Sequence, residues 1–186
     1  MTQSMNATYP VKLQPLINYL QTLKGRPDLI ELKRQMEAVN ITPAEMDSFV
    51  CFNERGYRRN MVFENDAVEL LCLCWKSGQR SPIHDHAHSV CGVKIIEGIG
   101  TETIYETTPS GYIKPIKSLD YPCGLVMASE DADTHQVANL QEREINLVTL
   151  HIYSPPLRSM KTYSIDSRKT DIYVPVNEGH MDGCGI

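Results

Sequence analysis

Apolar positions near the start of the chain recur every three or four residues: Leu13, Leu16, Ile17 and Leu20, then Leu29, Ile30, Leu32, Met36 and Val39 beyond the Gly25-Arg26-Pro27 break. That spacing gathers them on one side of a 3.6-residue turn, so two helices are predicted between about 11 and 50. A third is expected to start at Thr42-Pro43-Ala44-Glu45, where Thr42 can cap, Pro43 suits the first turn and Glu45 can reach back, and to end near Phe49. From Arg58 onward the pattern changes to short apolar runs broken by turn residues, at 60–63, 67–75, 90–97, 100–106, 125–128 and 145–153. These predict a mainly β body, a sandwich or small barrel of jelly-roll type, behind a helical N-terminal cap.

The chain of 186 residues can bury one sizeable core, so a single domain is expected, with the helical cap over 1–50, the barrel over 57–175 and a tail over 176–186. After Ile172 the periodicity fades among Pro175, Gly179, Gly183 and Gly185, and no function is expected there, His180 and Cys184 included. A formal charge of -5 without a basic cluster argues against nucleic acid and against anionic membranes as partners. No stretch approaches the roughly 20 apolar residues of a membrane span, and the first residues lack a signal-peptide pattern. A cytoplasmic monomer is the expectation. The six cysteines form no C-x-x-C pair, which weighs against a structural zinc site, and most are expected to be free thiols.

The candidate chemistry lies between Gly78 and Gly98. His84 and His86, two apart, point the same way on a strand and can converge on a metal ion if a neighbouring strand delivers a third ligand. His135, in Thr134-His135-Gln136-Val137-Ala138-Asn139, is the best candidate for that ligand. Imidazoles suit iron, zinc, copper or nickel, so spacing alone leaves the metal open. His88 has the right parity but follows Ala87 at an expected bend and is not expected to ligate, and Asp85 should face away and make a structural hydrogen bond. Thr149, His151 and Tyr153 share one strand face. Cys72, Cys74 and Trp75 read as core, and 141–144 as a solvated turn.

The run G-x5-H-x-H-x4-C-x6-G, followed by a separate H-x3-N, resembles the two motifs of the cupin superfamily, with Cys91 where many cupins carry a glutamate ligand. That cysteine, together with Tyr57-Arg58-Arg59-Asn60, Cys74-Trp75 and His151-Ile152-Tyr153-Ser154-Pro155-Pro156, is similar to the cysteine dioxygenase family over 57–156. The resemblance implies a cupin barrel in which His84, His86 and His135 hold Fe(2+). It also implies that Arg59 binds the substrate carboxylate, that Tyr57 lines the pocket and that Tyr153 lies over the iron. Cys91 matches a cysteine that forms a thioether with this tyrosine in part of the family. His151 matches the histidine bonded to the tyrosine hydroxyl, and Thr149 stands where the family usually has serine. The implied reaction is oxidation of the L-cysteine thiol by O2 to cysteine sulfinic acid. Three alternatives remain: a dioxygenase of another small thiol such as 3-mercaptopropionate, whose family members tend to carry glutamine in place of Arg59, a non-catalytic metal-binding cupin, and a zinc-dependent isomerase or hydrolase, which the cysteine in place of the glutamate ligand disfavours.

Overall fold

A computed structural model describes residues 9–130 and 134–179. Its elements are α1 (Gln14–Thr22), α2 (Leu29–Glu37), a 3-10 turn (Pro43–Met46), and strands β1 (Arg58–Glu64), β2 (Glu69–Trp75), β3 (Ile83–His84), β4 (Val90–Glu97), β5 (Ile99–Thr107) and β6 (Ile113–Pro122). They continue with β7 (Val126–Ser129), β8 (Thr134–Ala138), β9 (Leu147–Ser154), β10 (Met160–Ser164) and β11 (Ser167–Tyr173). Two sheets face each other: five strands in the order β1-β2-β9-β4-β7, and six in the order β11-β10-β3-β8-β5-β6.

Every residue of β2 and of β9 is buried, because the five-stranded sheet is covered on both faces. Leu70, Cys72, Cys74, Val148, Leu150 and Ile152 pack under the helices with Leu16, Leu20, Leu32 and Met36. By strand alternation Leu71, Leu73, Trp75 and Tyr153 turn the other way, into a second core between the sheets with Cys91, Val93 and Ile95. Helix α2 sits directly on β4. A Cβ at Gly92 would lie 2.6 Å from Met36 Sδ, and Lys94 Nζ donates to the carbonyls of Met36 and Glu37 at 3.0 and 3.3 Å, closing the helix end.

The third predicted helix is only a 3-10 turn ending at Met46, although the Glu45 carboxylate does accept from Thr42 N and Oγ1, both at 2.9 Å. The apolar-run pattern also missed β6, β10 and β11. Residues of β6 and β11 are mostly exposed and these are the two edges of the six-stranded sheet, so they carry no buried alternation to detect. Gly98, at the turn between β4 and β5, has φ +78° and a Cβ there would collide with the Asn146 carbonyl oxygen, which requires glycine.

Candidate metal centre

His84 closes β3 and pairs directly with His135 on β8, so antiparallel register brings two imidazoles to the barrel interior. His86 arrives differently from expectation. Strand β3 ends at His84, and the chain then turns through Ala87 and His88, which have φ of 48° and 73°. The turn, closed by Ser89 N donating to His86 O at 2.9 Å, aims the ring inward, so strand parity is not what unites the pair. One nitrogen from each of His84, His86 and His135 lies within 4.8 Å of the others, and all three side chains are buried. His86 Nε2 and His135 Nε2 are 3.0 Å apart. Two ligands about 2.1 Å from one metal ion at a right angle would have that separation.

The rings are held from behind. His84 Nδ1 is 2.9 Å from Pro82 O, so Nδ1 carries the proton and Nε2 presents a lone pair. His135 Nδ1 is 2.5 Å from Glu102 Oε1, and Tyr121 OH donates to Glu102 Oε2 at 3.0 Å. Burial, then the charge of His135, pushes His84 down to about 3, and burial likewise holds His86 well below the ordinary histidine value. His84 and His86 are thereby neutral near pH 7, the form that binds metals. His88, not expected to ligate, is exposed, and Asp85 accepts from Ala87 N and Lys161 N at 3.2 and 3.1 Å and from Tyr163 OH at 3.0 Å.

Beside the cluster lies a narrow cavity walled by Tyr57, Arg59, Trp75, His84, His151 and Tyr153. Arg59, on β1, is 5% exposed, its Nη2 has no hydrogen-bond partner, and its guanidinium carbon sits 5.6 Å from the centre of the Tyr153 ring. Arg59 Nε is already engaged by Asn177 Oδ1 at 2.8 Å, and Glu69 lies 3.7 Å from Nη2. Tyr57 stacks on Trp75 at 4.1 Å between ring centres.

Strand β9 carries a continuous chain of polar groups through the core. Tyr153 OH is 3.0 Å from His151 Nδ1, His151 Nε2 is 3.0 Å from Thr149 Oγ1, and Trp75 Nε1 donates to Thr149 Oγ1 at 3.1 Å. Either imidazole tautomer satisfies both of its bonds, because the threonine and tyrosine hydroxyls each donate and accept. Burial, then Cys91, holds the Tyr153 hydroxyl well above its ordinary value, so it stays protonated. Cys91 is the residue directly opposite Tyr153 in the β4–β9 ladder, and burial, then Glu102, pushes its thiol up to about 12.

A larger cavity of about 260 Å³ reaches His86, Cys91 and His135 between Val93, Ile95, Ile104 and Met127. Its one basic lining residue, Lys117, is exposed.

The structure therefore gathers Tyr57, Arg59, His84, His86, Cys91, His135, Thr149, His151 and Tyr153 around one centre. It corrects two readings. Trp75 is a wall of the cavity and a donor to Thr149, not only a core anchor. The segment after β11 does not stand apart: Asn177 holds Arg59, whereas His180 and Cys184 lie outside the described residues. Arg58 has a side chain only 14% exposed and donates to Cys51 Sγ. Glu69, Glu102, Tyr121 and Asn177 gave no sequence signal, since each acts through a partner far along the chain. Cys72, Cys74, Cys91 and Cys123 are free thiols, and Cys72 and Cys74 are buried as predicted.

Fold and site together define a cupin whose interior carries a three-histidine group able to hold a metal ion. A solved protein with a double-stranded β-helix domain from Klebsiella pneumoniae shares the fold, at a TM-score of 0.52 and 14% identity over 63% of this chain and 87% of that one. The family profile "Cysteine dioxygenase type I" matches residues 1–166. Cysteine dioxygenase type 1 of Danio rerio is 30% identical over 161 residues, 83% of this chain and 80% of its own length. The Homo sapiens protein of that name is 31% identical over 155 residues, 79% of this chain and 76% of its own. The chain belongs to the cysteine dioxygenase family, and so to the oxidoreductases of dioxygenase type. Among the described residues no helix is long and apolar enough to cross a membrane.

Proposed function

We propose that this protein is an iron(II)-dependent thiol dioxygenase that converts L-cysteine to cysteine sulfinic acid, with His84, His86 and His135 as the metal ligands. One observation carries the reading: a buried arginine whose Nη2 makes no hydrogen bond and a buried tyrosine hydroxyl line the same cavity as His84 and His135. An all-imidazole, neutral ligand set fits ferrous iron and favours an anionic thiolate beside it. Iron bound there supplies deprotonation of the thiol and activation of dioxygen.

The chain's own groups do the positioning. Arg59 holds the substrate carboxylate through its Nη atoms, because Asn177 has taken Nε. The protonated Tyr153 hydroxyl donates a hydrogen bond at the reacting sulfur and oxygen, and His151 and Thr149 fix its direction. The stacked Tyr57 and Trp75 rings close the wall and exclude water. A thiol plus one dioxygen gives a sulfinic acid with every atom accounted for, so neither a reductant nor an organic cofactor is needed.

The test is oxygen uptake by the ferrous-loaded protein with L-cysteine, with the product identified and the assay repeated with 3-mercaptopropionate. One dioxygen per cysteine sulfinate, without added reductant, is expected. Faster turnover of 3-mercaptopropionate would keep the chemistry and change the substrate. Iron binding with no oxygen uptake on any thiol would leave a metal-binding cupin without this activity.

A further inference from the structure

Glu102 lies on β5, where its direct pair is Val137 and His135 pairs with Ile104, so Glu102 faces His135 diagonally across the β5–β8 ladder, two positions along on the same face. Both carboxylate oxygens are engaged: Oε1 is 2.5 Å from His135 Nδ1 and Oε2 accepts from Tyr121 OH at 3.0 Å. Rotating the carboxylate breaks one of these contacts, so the Tyr121 hydroxyl on β6 sets the orientation of an imidazole on β8. A proton on His135 Nδ1 is thereby fixed, and Nε2 is left as a lone pair facing His86 Nε2 at 3.0 Å. The arrangement at His84 is different. Its Nδ1 meets only a neutral carbonyl, Pro82 O, at 2.9 Å.

We propose that Glu102, oriented by Tyr121, is a positioning residue for the metal: it makes His135 a stronger donor than His84 and brings one negative charge to an otherwise neutral ligand set. This rests on the reading of the histidines as metal ligands. A carboxylate sharing the proton of a ligating imidazole raises the basicity of the metal-facing nitrogen and holds the ring in its ligating pose. The three histidines are then unequal, and loss of Glu102 acts on metal binding without removing any ligand.

The experiment is anaerobic competition between the protein and a chelator for Fe(II), and separately for Co(II), whose visible spectrum reports the ligand field. Glu102→Gln keeps the shape and removes the charge, and is expected to weaken both ions about 10–100-fold and to shift the cobalt bands. Tyr121→Phe leaves the carboxylate but releases one oxygen, so a smaller loss in the same direction is expected and serves as the second variant if Glu102→Gln folds poorly. Glu106→Gln, at an exposed glutamate on the same strand paired with Lys114, is expected to bind like the parent protein. Parent-like affinity and cobalt bands in both Glu102→Gln and Tyr121→Phe would overturn the role of Glu102 alone. A parent protein that binds neither ion would remove the metal site itself, and this role with it.

Discussion

Arg59 Nε donates to Asn177 Oδ1 at 2.8 Å across 118 positions of the chain. Asn177 Nδ2 in turn donates to Glu69 Oε2 at 3.0 Å, and the other oxygen of Glu69 accepts from Leu157 N at 3.0 Å. The segment bearing Asn177 is pinned to β1 by Met61 N to Glu178 O at 2.9 Å and Glu178 N to Arg59 O at 2.8 Å. The arginine that faces the cavity is thus aimed by residues from β2 and from the end of the described chain.

Asn177→Ala should therefore loosen the guanidinium without touching the histidines. The expected result is a KM for L-cysteine raised about tenfold, the worth of one hydrogen bond to a charged group, with kcat little changed. Steady-state oxygen uptake measures both. An unchanged KM would mean that β1 and the Tyr153 ring suffice to hold Arg59.

Arg59→Gln removes the charge-assisted pair to the substrate carboxylate, worth about 2 kcal/mol or more, and kcat/KM for L-cysteine should fall at least about 30-fold. Arg59→Lys keeps the charge but loses the planar fork, and should not restore activity. Full activity in Arg59→Gln would remove Arg59 from the substrate site.

Thr149 is the shared partner of the Trp75 indole and the His151 ring. Thr149→Val keeps the volume and strands a buried N–H, so a loss of about 1–3 kcal/mol in stability is expected by urea unfolding, together with slower turnover. Thr149→Ser keeps the hydroxyl and should be close to neutral in turnover. Equal unfolding midpoints for the valine and parent proteins would show that Trp75 finds another acceptor.

Metal-free protein should lose stability in acid. His84 titrates at about 3 when folded against 6.5 ordinarily, so between these values the unfolded chain holds a proton that the folded chain does not. Stability then rises with pH: the His84 contribution, up to about 5 kcal/mol, is complete above about pH 6.5 and is lost as pH falls toward 3. Urea midpoints across that range measure it. A flat profile would contradict the buried neutral state of His84.

Cys91 and Tyr153 stand opposite each other on adjacent strands, both buried, which is the proximity a thioether between Sγ and the ring requires. Forming it removes two hydrogen atoms, with dioxygen as the oxidant. Protein that has turned over is expected to contain a species lighter by two hydrogens, with its Cys91 and Tyr153 peptides joined in mass spectrometry. Cys91→Ser should lack that species. Its presence in the Cys91→Ser protein would place the modification elsewhere.

Much of the architecture is legible along the chain. The helical period of Leu13 to Leu20 and the apolar runs of β2, β4 and β9 exist because those residues are buried, and burial leaves a periodic trace. The edge strands β6 and β11 are largely solvated and leave none. His84, His86 and His135 are conspicuous as residue types, yet the route of His86 into the site depends on a turn at Ala87 and His88 that alternation does not describe.

The sequence alone determined the helical cap, the strand-rich body, the inventory of histidines and the family motifs. Each is a local or short-range property, carried by neighbours along the chain. Only the tertiary structure decided that Glu102 backs His135 across 33 positions, that Asn177 joins Glu69 across 108 and that Trp75 reaches Thr149 across 74. Such pairs share no period and no motif. Their partners become neighbours only when the strands close on one another, and the donors and acceptors then buried must find each other because water no longer reaches them.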